Sequence, residues 1–265
     1  MLSASPLARR PEFTVSVVGC RSDHTRWSEP ETHDSHRLVL VRSGRFRRWA
    51  NGTDADLDPT MAYLGAPGEE ERFAHPAGGD VCTSVSFKPS LLERTPAATT
   101  VYVDARVDLA HRRLVAAAGA GDVEYAVTEE LLRLVAAAAG EPAGAQGVRT
   151  RAAADRALAA AAREAIIEEA PGAEELVGLA RLLKVSPYRL SRVFSRQMGV
   201  SLTRYRNRVR VTRAMDAIAE GAPSLAELAT RLGFSDQAHL TRTVREHVGH
   251  TPTALRRLMD PARAS

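Results

Sequence analysis

Two short stretches gather side chains able to read the edges of a base pair. "SPYRLSRVFSRQMG" carries Tyr188, Arg189, Ser191, Arg192 and Arg196. "SDQAHLTRTVREHVG" carries Gln237, Ala238, His239, Thr241, Arg242 and Arg245. Arginine pairs with guanine and glutamine with adenine through two hydrogen bonds each, and a small apolar surface such as Ala238 suits a thymine methyl. Both stretches have a thin apolar stripe: Leu190 and Phe194 in the first, and Leu240, Val244 and Val248 at i, i+4 and i+8 in the second. A helix of this kind seats one narrow side on its own domain and leaves the other polar. A major groove about 12 Å wide admits just such a helix.

The charge distribution points the same way. The chain has 265 residues and a net charge of +4, but the balance is uneven. Residues 149–265 hold 20 Lys+Arg against 12 Asp+Glu, a net of +8, whereas residues 1–148 hold 16 against 20, a net of −4. Nine cations and no acid lie between Lys184 and Arg213. A solvated helix face usually mixes both signs, so this block calls for a polyanionic partner.

The two stretches belong to a repeat about fifty residues long. Leu190 matches Leu240, Arg192 matches Arg242, Phe194 matches Val244, Gly199 matches Gly249, Ser201 matches Thr251, and Leu182 matches Leu232. Each copy runs short helix, tight turn, capped helix, glycine, small hydroxyl residue, which is the order of a helix-turn-helix. Ser186 with Pro187 is a strong helix start and Gly199 a strong stop. The connector from about Thr203 to Glu220 would be about 27 Å long as a helix, near the 34 Å or so between successive major-groove faces. Its Arg204, Arg206, Arg208, Arg210 and Arg213 cannot all face one way, so some should meet phosphate and others neighbouring acids.

Residues 150–258 resemble the DNA-binding domain of AraC/XylS-type bacterial transcription regulators. The resemblance rests on "LARLLKVSPYRLSRVFSRQMGVSLTRYRNRVRVTRAM" and "SLAELATRLGFSDQAHLTRTVREHVGHTPTALRR". It implies two helix-turn-helix units bridged by a long helix, with base-reading positions at Tyr188, Ser191 and Arg192, then Gln237, Ala238, His239, Thr241 and Arg242. Val244 and Leu255 stand where the family favours aromatics, a departure expected to loosen the second unit. The implied partners are double-stranded promoter DNA, RNA polymerase, a small-molecule effector of unknown identity and a second copy of the chain.

Upstream, the texture from Phe13 to Val103 is β-rich: "FTVSVVG", "HRLVLVRSG", "RFRRWANG", "MAYLGAPG" and "VCTSVSFKP" are short runs closed by Gly, Pro, Asn or Asp. Together with "PTMAYLGAPGEEERFAHPAGGD" they resemble the cupin-like sensor domain that often precedes this DNA-binding unit. After Asp108 an Ala/Leu-rich segment reads as two helices separated by "GAGD", with Leu109, Leu131, Leu132 and Leu134 as anchors. "EPAGAQG" at 141–147 reads as a linker. The expected fold is therefore α+β. Residues 1–105 would form a cupin-like β-sandwich or barrel. Residues 106–148 would be two linker helices able to make a dimer contact. Residues 149–262 would form an all-α domain of two helix-turn-helix subdomains.

Other constellations are weaker. His24, His33 and His36 near Glu29 and Glu31, with His75 later, could serve a metal-dependent cupin enzyme, the alternative to a regulator. The usual His-x-His pair followed by Glu is missing, so loop histidines, and no metal or cofactor, are expected. Cys20 and Cys82 read as small buried hydrophobes rather than a redox pair. "EEER" at 69–72 reads as a solvated loop, with the rim of a pocket for a cationic effector as the alternative. Trp27, Trp49, Tyr63 and Phe87 read as barrel core. No nucleophile motif, phosphate loop or catalytic carboxylate pair stands out, and no apolar run is long enough to span a membrane. With two cysteines and no apolar leader, a cytoplasmic setting is expected.

Overall fold

In the computed structural model, short runs rich in Val, Thr and aromatics become nine antiparallel strands among the described residues. These residues are 2–21, 25–76, 78–91, 99–120, 125–139, 151–222 and 224–259. The strands are β1 (Leu2–Arg9), β2 (Phe13–Cys20), β3 (His36–Gly44), β4 (Phe46–Ala50), β5 (Thr53–Leu57), β6 (Met61–Gly65), β7 (Glu71–Ala74), β8 (Asp80–Phe87) and β9 (Thr99–Tyr102). Six form one sheet in the order β1-β2-β8-β3-β6-β9, and three form another in the order β5-β4-β7. The first strand was not anticipated, because "LSASPLAR" has no alternation and contains a proline. Its place at the sheet edge explains its tolerance: Pro6 has no N–H to give, and the pairing with β2 slips between Pro6 and Ala8.

Two helices, α1 (Ala105–Ala120) and α2 (Ala126–Ala139), complete this unit. Leu38, Leu40, Leu64, Val85 and Phe87 alternate along β3, β6 and β8, and they pack in one cluster with Leu114, Leu131 and Leu134 of the helices. Leu109 is buried as expected, but Leu132 is 37% exposed. Gly119 and Ala120 of "GAGD" are the last residues of α1, while its Gly121 and Asp122 and all of "EPAGAQG" lie outside the described residues. The chain divides into two units, Met1–Pro142 and Ala143–Ser265.

The opposite face of the large sheet meets the small sheet through a polar centre. Tyr63 of β6 contacts Phe46 of β4 and Phe73 of β7. Beside them Glu71 accepts hydrogen bonds from Arg48 Nε at 2.6 Å and Arg37 Nη2 at 2.7 Å. Arg48 also reaches Glu69 at 2.7 Å, and its guanidinium lies 4.3 Å from the Tyr63 ring centre. The solvated-loop reading of "EEER" is thus corrected for half its residues. Glu69 and Glu71 are 5% and 3% exposed, whereas Glu70 and Arg72 pair near the surface. A carboxylate can be buried only beside compensating charge, which Arg37 of β3 and Arg48 of β4 supply. The tryptophans are corrected too: Trp27 and Trp49 are half-buried beneath Arg47 and Arg72, while Tyr63 and Phe87 are core.

Among the described residues, the histidines weighed as the alternative ligand set do not converge. His33 sits 3.8 Å from both Glu31 and Glu71. His36 shares the Leu38 and Leu40 face, where its ring stacks on Phe87 at 5.5 Å. His24 lies outside the described residues.

The second unit is helical: α3 (Arg151–Ile167), α4 (Leu176–Leu182), α5 (Pro187–Met198), α6 (Leu202–Ala219), α7 (Leu225–Arg231), α8 (Gln237–Val248) and α9 (Pro252–Met259). None of the described helices is long and apolar enough to cross a membrane.

One buried histidine makes the first unit sensitive to acid. His111 of α1 is held with Nε2 2.8 Å from Thr83 Oγ1 of β8. Burial drives its pKa down to about 4, although Asp108 pulls it upward. The unfolded chain takes up this proton near pH 6.5 and the folded chain only near pH 4. The stability contribution is therefore complete above about pH 6.5, lost as pH falls towards 4, and constant below that. Urea unfolding followed through Trp27 and Trp49, which both lie in this unit, should show the effect. Between about pH 7 and pH 5 the wild type should lose about 2 kcal/mol more than His111→Gln.

Candidate nucleic-acid interface

Each candidate reading helix is held by local rules at both ends. In α5, Ser186 Oγ accepts from the Arg189 N–H at 3.2 Å, Pro187 occupies the first turn, and Gly199 closes the helix at φ 71°. In α8, Asp236 Oδ1 accepts from the His239 N–H at 2.6 Å, and Gly249 closes the helix at φ 82°. The His239 N–H, helped by the Ser235 hydroxyl and the nearby Arg242 charge, holds the Asp236 carboxyl below its ordinary range.

The seating is narrow, as expected. Leu190, Val193, Phe194 and Met198 are buried in α5, and Leu240, Thr243, Val244 and Val248 in α8. The Phe194 ring meets the Tyr205 ring of α6 edge-on at 5.1 Å, and both are fully buried. At the corresponding places in the second copy, Val244 and Leu255 are also fully buried. An aromatic enters the second copy by another route, Phe234 in the turn.

That turn corrects one register. Val185 N–H bonds Ala180 O in the first copy, and Phe234 N–H bonds Ala229 O in the second, so the first helices are related by 49 residues. The caps Ser186 and Asp236 are related by 50. Leu183, not Leu182, is therefore the partner of Leu232, and both follow directly on the short helix. The second turn contains one extra residue. Gly233 stands in it at φ 70°, where a Cβ would lie 2.6 Å from Arg210 Nη2.

The outward faces differ in readiness. Tyr188 is 70% exposed, and its hydroxyl accepts from Arg192 Nη1 at 3.0 Å while the guanidinium lies 5.5 Å from the ring centre. Arg189 and Arg196 are drawn back towards Asp155 of α3, at 3.8 and 3.9 Å. Ser191 is half-buried beside them. In α8, Gln237, Ala238, Arg242 and Arg245 are exposed and Thr241 is half-buried. His239 is engaged with its own cap: Nδ1 lies 3.1 Å from Ser235 Oγ, and the ring meets Phe234 edge-on at 5.3 Å. Asp155 went unnoticed in the sequence, although it is the one acid between Arg151 and Arg163.

Most cations of α6 serve the fold. Arg213 pairs with Glu169 and donates to Ile167 O at 2.7 Å. Arg206 donates to the Glu174 carbonyl. Arg208 is buried and reaches Thr212 Oγ1 at 2.6 Å, and Arg210 lies over the Phe234 ring at 5.4 Å. Arg204 remains exposed.

Two capped helices on paired short helices, joined by α6, make this unit a double helix-turn-helix domain. Residues 179–258 match a family described as a helix-turn-helix domain. The arabinose operon regulatory protein of Salmonella typhimurium is 27% identical over 82 residues, which is 31% of this chain and 29% of that protein. This chain thus spans less than a third of that relative. The C-terminal domain of AraT, a response regulator from Geobacillus stearothermophilus, is 25% identical over 38% of this chain and 84% of its own, with a TM-score of 0.35. The N-terminal strands are similar to a cupin superfamily protein from Desulfitobacterium hafniense DCB-2. That likeness is 15% identical over 33% of this chain and 78% of the other, with a TM-score of 0.30.

The Phe194 and Tyr205 contact sets the seat of α5. Phe194→Ala should lower the stability of the helical unit by about 3–5 kcal/mol, read from loss of far-UV circular dichroism on urea titration.

Proposed function

We propose that the chain is a sequence-specific DNA-binding transcription regulator whose α5 and α8 enter two major-groove segments of a promoter. One observation carries this reading. Two helices are each buried along a narrow stripe, and each leaves an outward row of hydrogen-bonding side chains exposed. Tyr188, Ser191 and Arg192 read bases from α5, and Gln237, Ala238, Thr241 and Arg242 read them from α8. Arg189, Arg196 and Arg245 meet phosphate, and His239 positions the start of α8. The 18 residues of α6 span about 27 Å, which suits adjacent turns of one duplex. The N-terminal unit, with α1 and α2, responds to a small-molecule effector or joins a second copy, and the output is delivered to RNA polymerase in the cytoplasm.

Selection from a randomised duplex pool with the purified chain tests the reading. It should return a preferred site bound about 10³-fold or more above random DNA. On that site, Arg192→Ala and Arg242→Ala should each cost about 1–3 kcal/mol and relax preference at one base pair. Equal weakening on every duplex with a shallower salt slope would make these residues phosphate contacts instead and remove their base-reading role.

Asp155 competes with phosphate for two arginines. Asp155→Asn should therefore tighten binding to random duplex and steepen the salt dependence, by about 1–2 in slope for one or two added phosphate contacts. Titrations over a range of salt concentrations read both quantities directly.

A further inference from the structure

We propose that Cys20, His75 and Asp80 form a binding site for a divalent metal ion of the zinc class. The three residues are brought together from the end of β2, the residue after β7 and the start of β8. One donor atom of each lies within 4.8 Å of the other two. Cys20 and Asp80 are direct cross-strand partners, so their side chains share one face of the sheet. His75 Nδ1 lies 2.6 Å from Asp80 Oδ1. All three are sheltered: Cys20 is buried, and the His75 and Asp80 side chains are 12% and 5% exposed.

The backbone holds this grouping tightly. Gly79, at φ 109°, crosses so near β2 that a Cβ there would lie 2.1 Å from the Cys20 carbonyl oxygen. Only glycine lets the chain come this close and then place Asp80 opposite Cys20. Zinc bonds of about 2.0–2.3 Å space tetrahedral donors about 3.3–3.8 Å apart, so closing on an ion needs contraction of about 1 Å.

The donor types choose the ion. A thiolate, an imidazole and a carboxylate suit zinc and its neighbours, whereas magnesium and calcium take oxygen donors. Three protein ligands leave a fourth position for water. Cys82, two residues along β8 on the same face, donates its thiol to the other Asp80 oxygen at 3.1 Å and so orients the carboxylate from behind. A disulfide is a poorer use of the two cysteines. Cys20 lies opposite Asp80 and Cys82 opposite Val18, and such diagonal neighbours are about 7–8 Å apart, beyond the usual disulfide span. Because β2 and β8 belong to the large sheet and His75 follows β7 of the small one, the ion would brace the two sheets at one end.

Cobalt is the probe. The full chain, stripped of metal by chelator under reducing conditions, is titrated with Co2+ and then with Zn2+. One equivalent of Co2+ should produce thiolate-to-cobalt charge-transfer absorption and the intense visible bands of four-coordination, and Zn2+ should remove both. Cys20→Ser should abolish the charge-transfer band. Cys82→Ser should keep it while weakening binding by about 10–100-fold. Far-UV circular dichroism checks that each variant is folded. If Cys20→Ser is not, the rate of Cys20 alkylation in the wild type decides, because Zn2+ must slow it. A missing band at one equivalent, a band that survives Cys20→Ser, or alkylation indifferent to Zn2+ overturns the proposal.

Discussion

Helix α6 has to be the wall of two cores at once, and much of the helical unit follows from that demand. A surface helix buries one stripe, but α6 buries Tyr205, Arg208, Val209, Val211, Ala214, Met215, Ala217 and Ile218, which point in several directions around its axis. Tyr205 closes against Phe194 in the first subdomain, while Arg210 lies over Phe234 of the second. The arginines between these apolar contacts are then drawn into work on the protein itself. Arg213, Arg206 and Arg208 meet a carboxylate, a carbonyl and a hydroxyl. The basic block from Lys184 to Arg213 is therefore less a phosphate-binding track than its charge alone suggests. The exposed hydrogen-bonding side chains lie instead on the two helices that α6 supports.

The parts legible in the sequence were those governed by neighbours along the chain. Ser186, Pro187 and Gly199 act within a few residues, and the ends of α5 followed from them. The stripes of α5 and α8 followed from helical period. What escaped depended on partners far along the chain. Glu69 and Glu71 look like loop acids until Arg37 and Arg48 are brought to them from β3 and β4. Likewise, Pro6 forbids a central strand but not an edge one. The one-residue offset between the two turns was hidden because the caps and glycines still matched at fifty. Asp155 needed the packing of α3 beside α5 to bring it near Arg189 and Arg196.

The two faces of the large sheet divide the labour of the N-terminal unit. One is closed by α1 and α2 with aliphatic side chains, which bury well without fixing exact partners. The other faces the small sheet with arginines, glutamates and a tyrosine joined in one network. Breaking such a buried pair costs more than making it gains, because it leaves a charge stranded. The interior between the sheets is thus already supplied with both signs of charge by the chain itself.

Lys184 stands in the first turn at φ 55°, where the second copy has Gly233 at φ 70°. A left-handed backbone is natural for glycine and costs a side-chain-bearing residue about 1–2 kcal/mol. The first copy accepts that strain and gains an ammonium group three residues before α5 begins. The two turns have thus settled one conflict in opposite ways. One gives up conformational ease for a positive charge, and the other gives up the charge so that Arg210 can close over it.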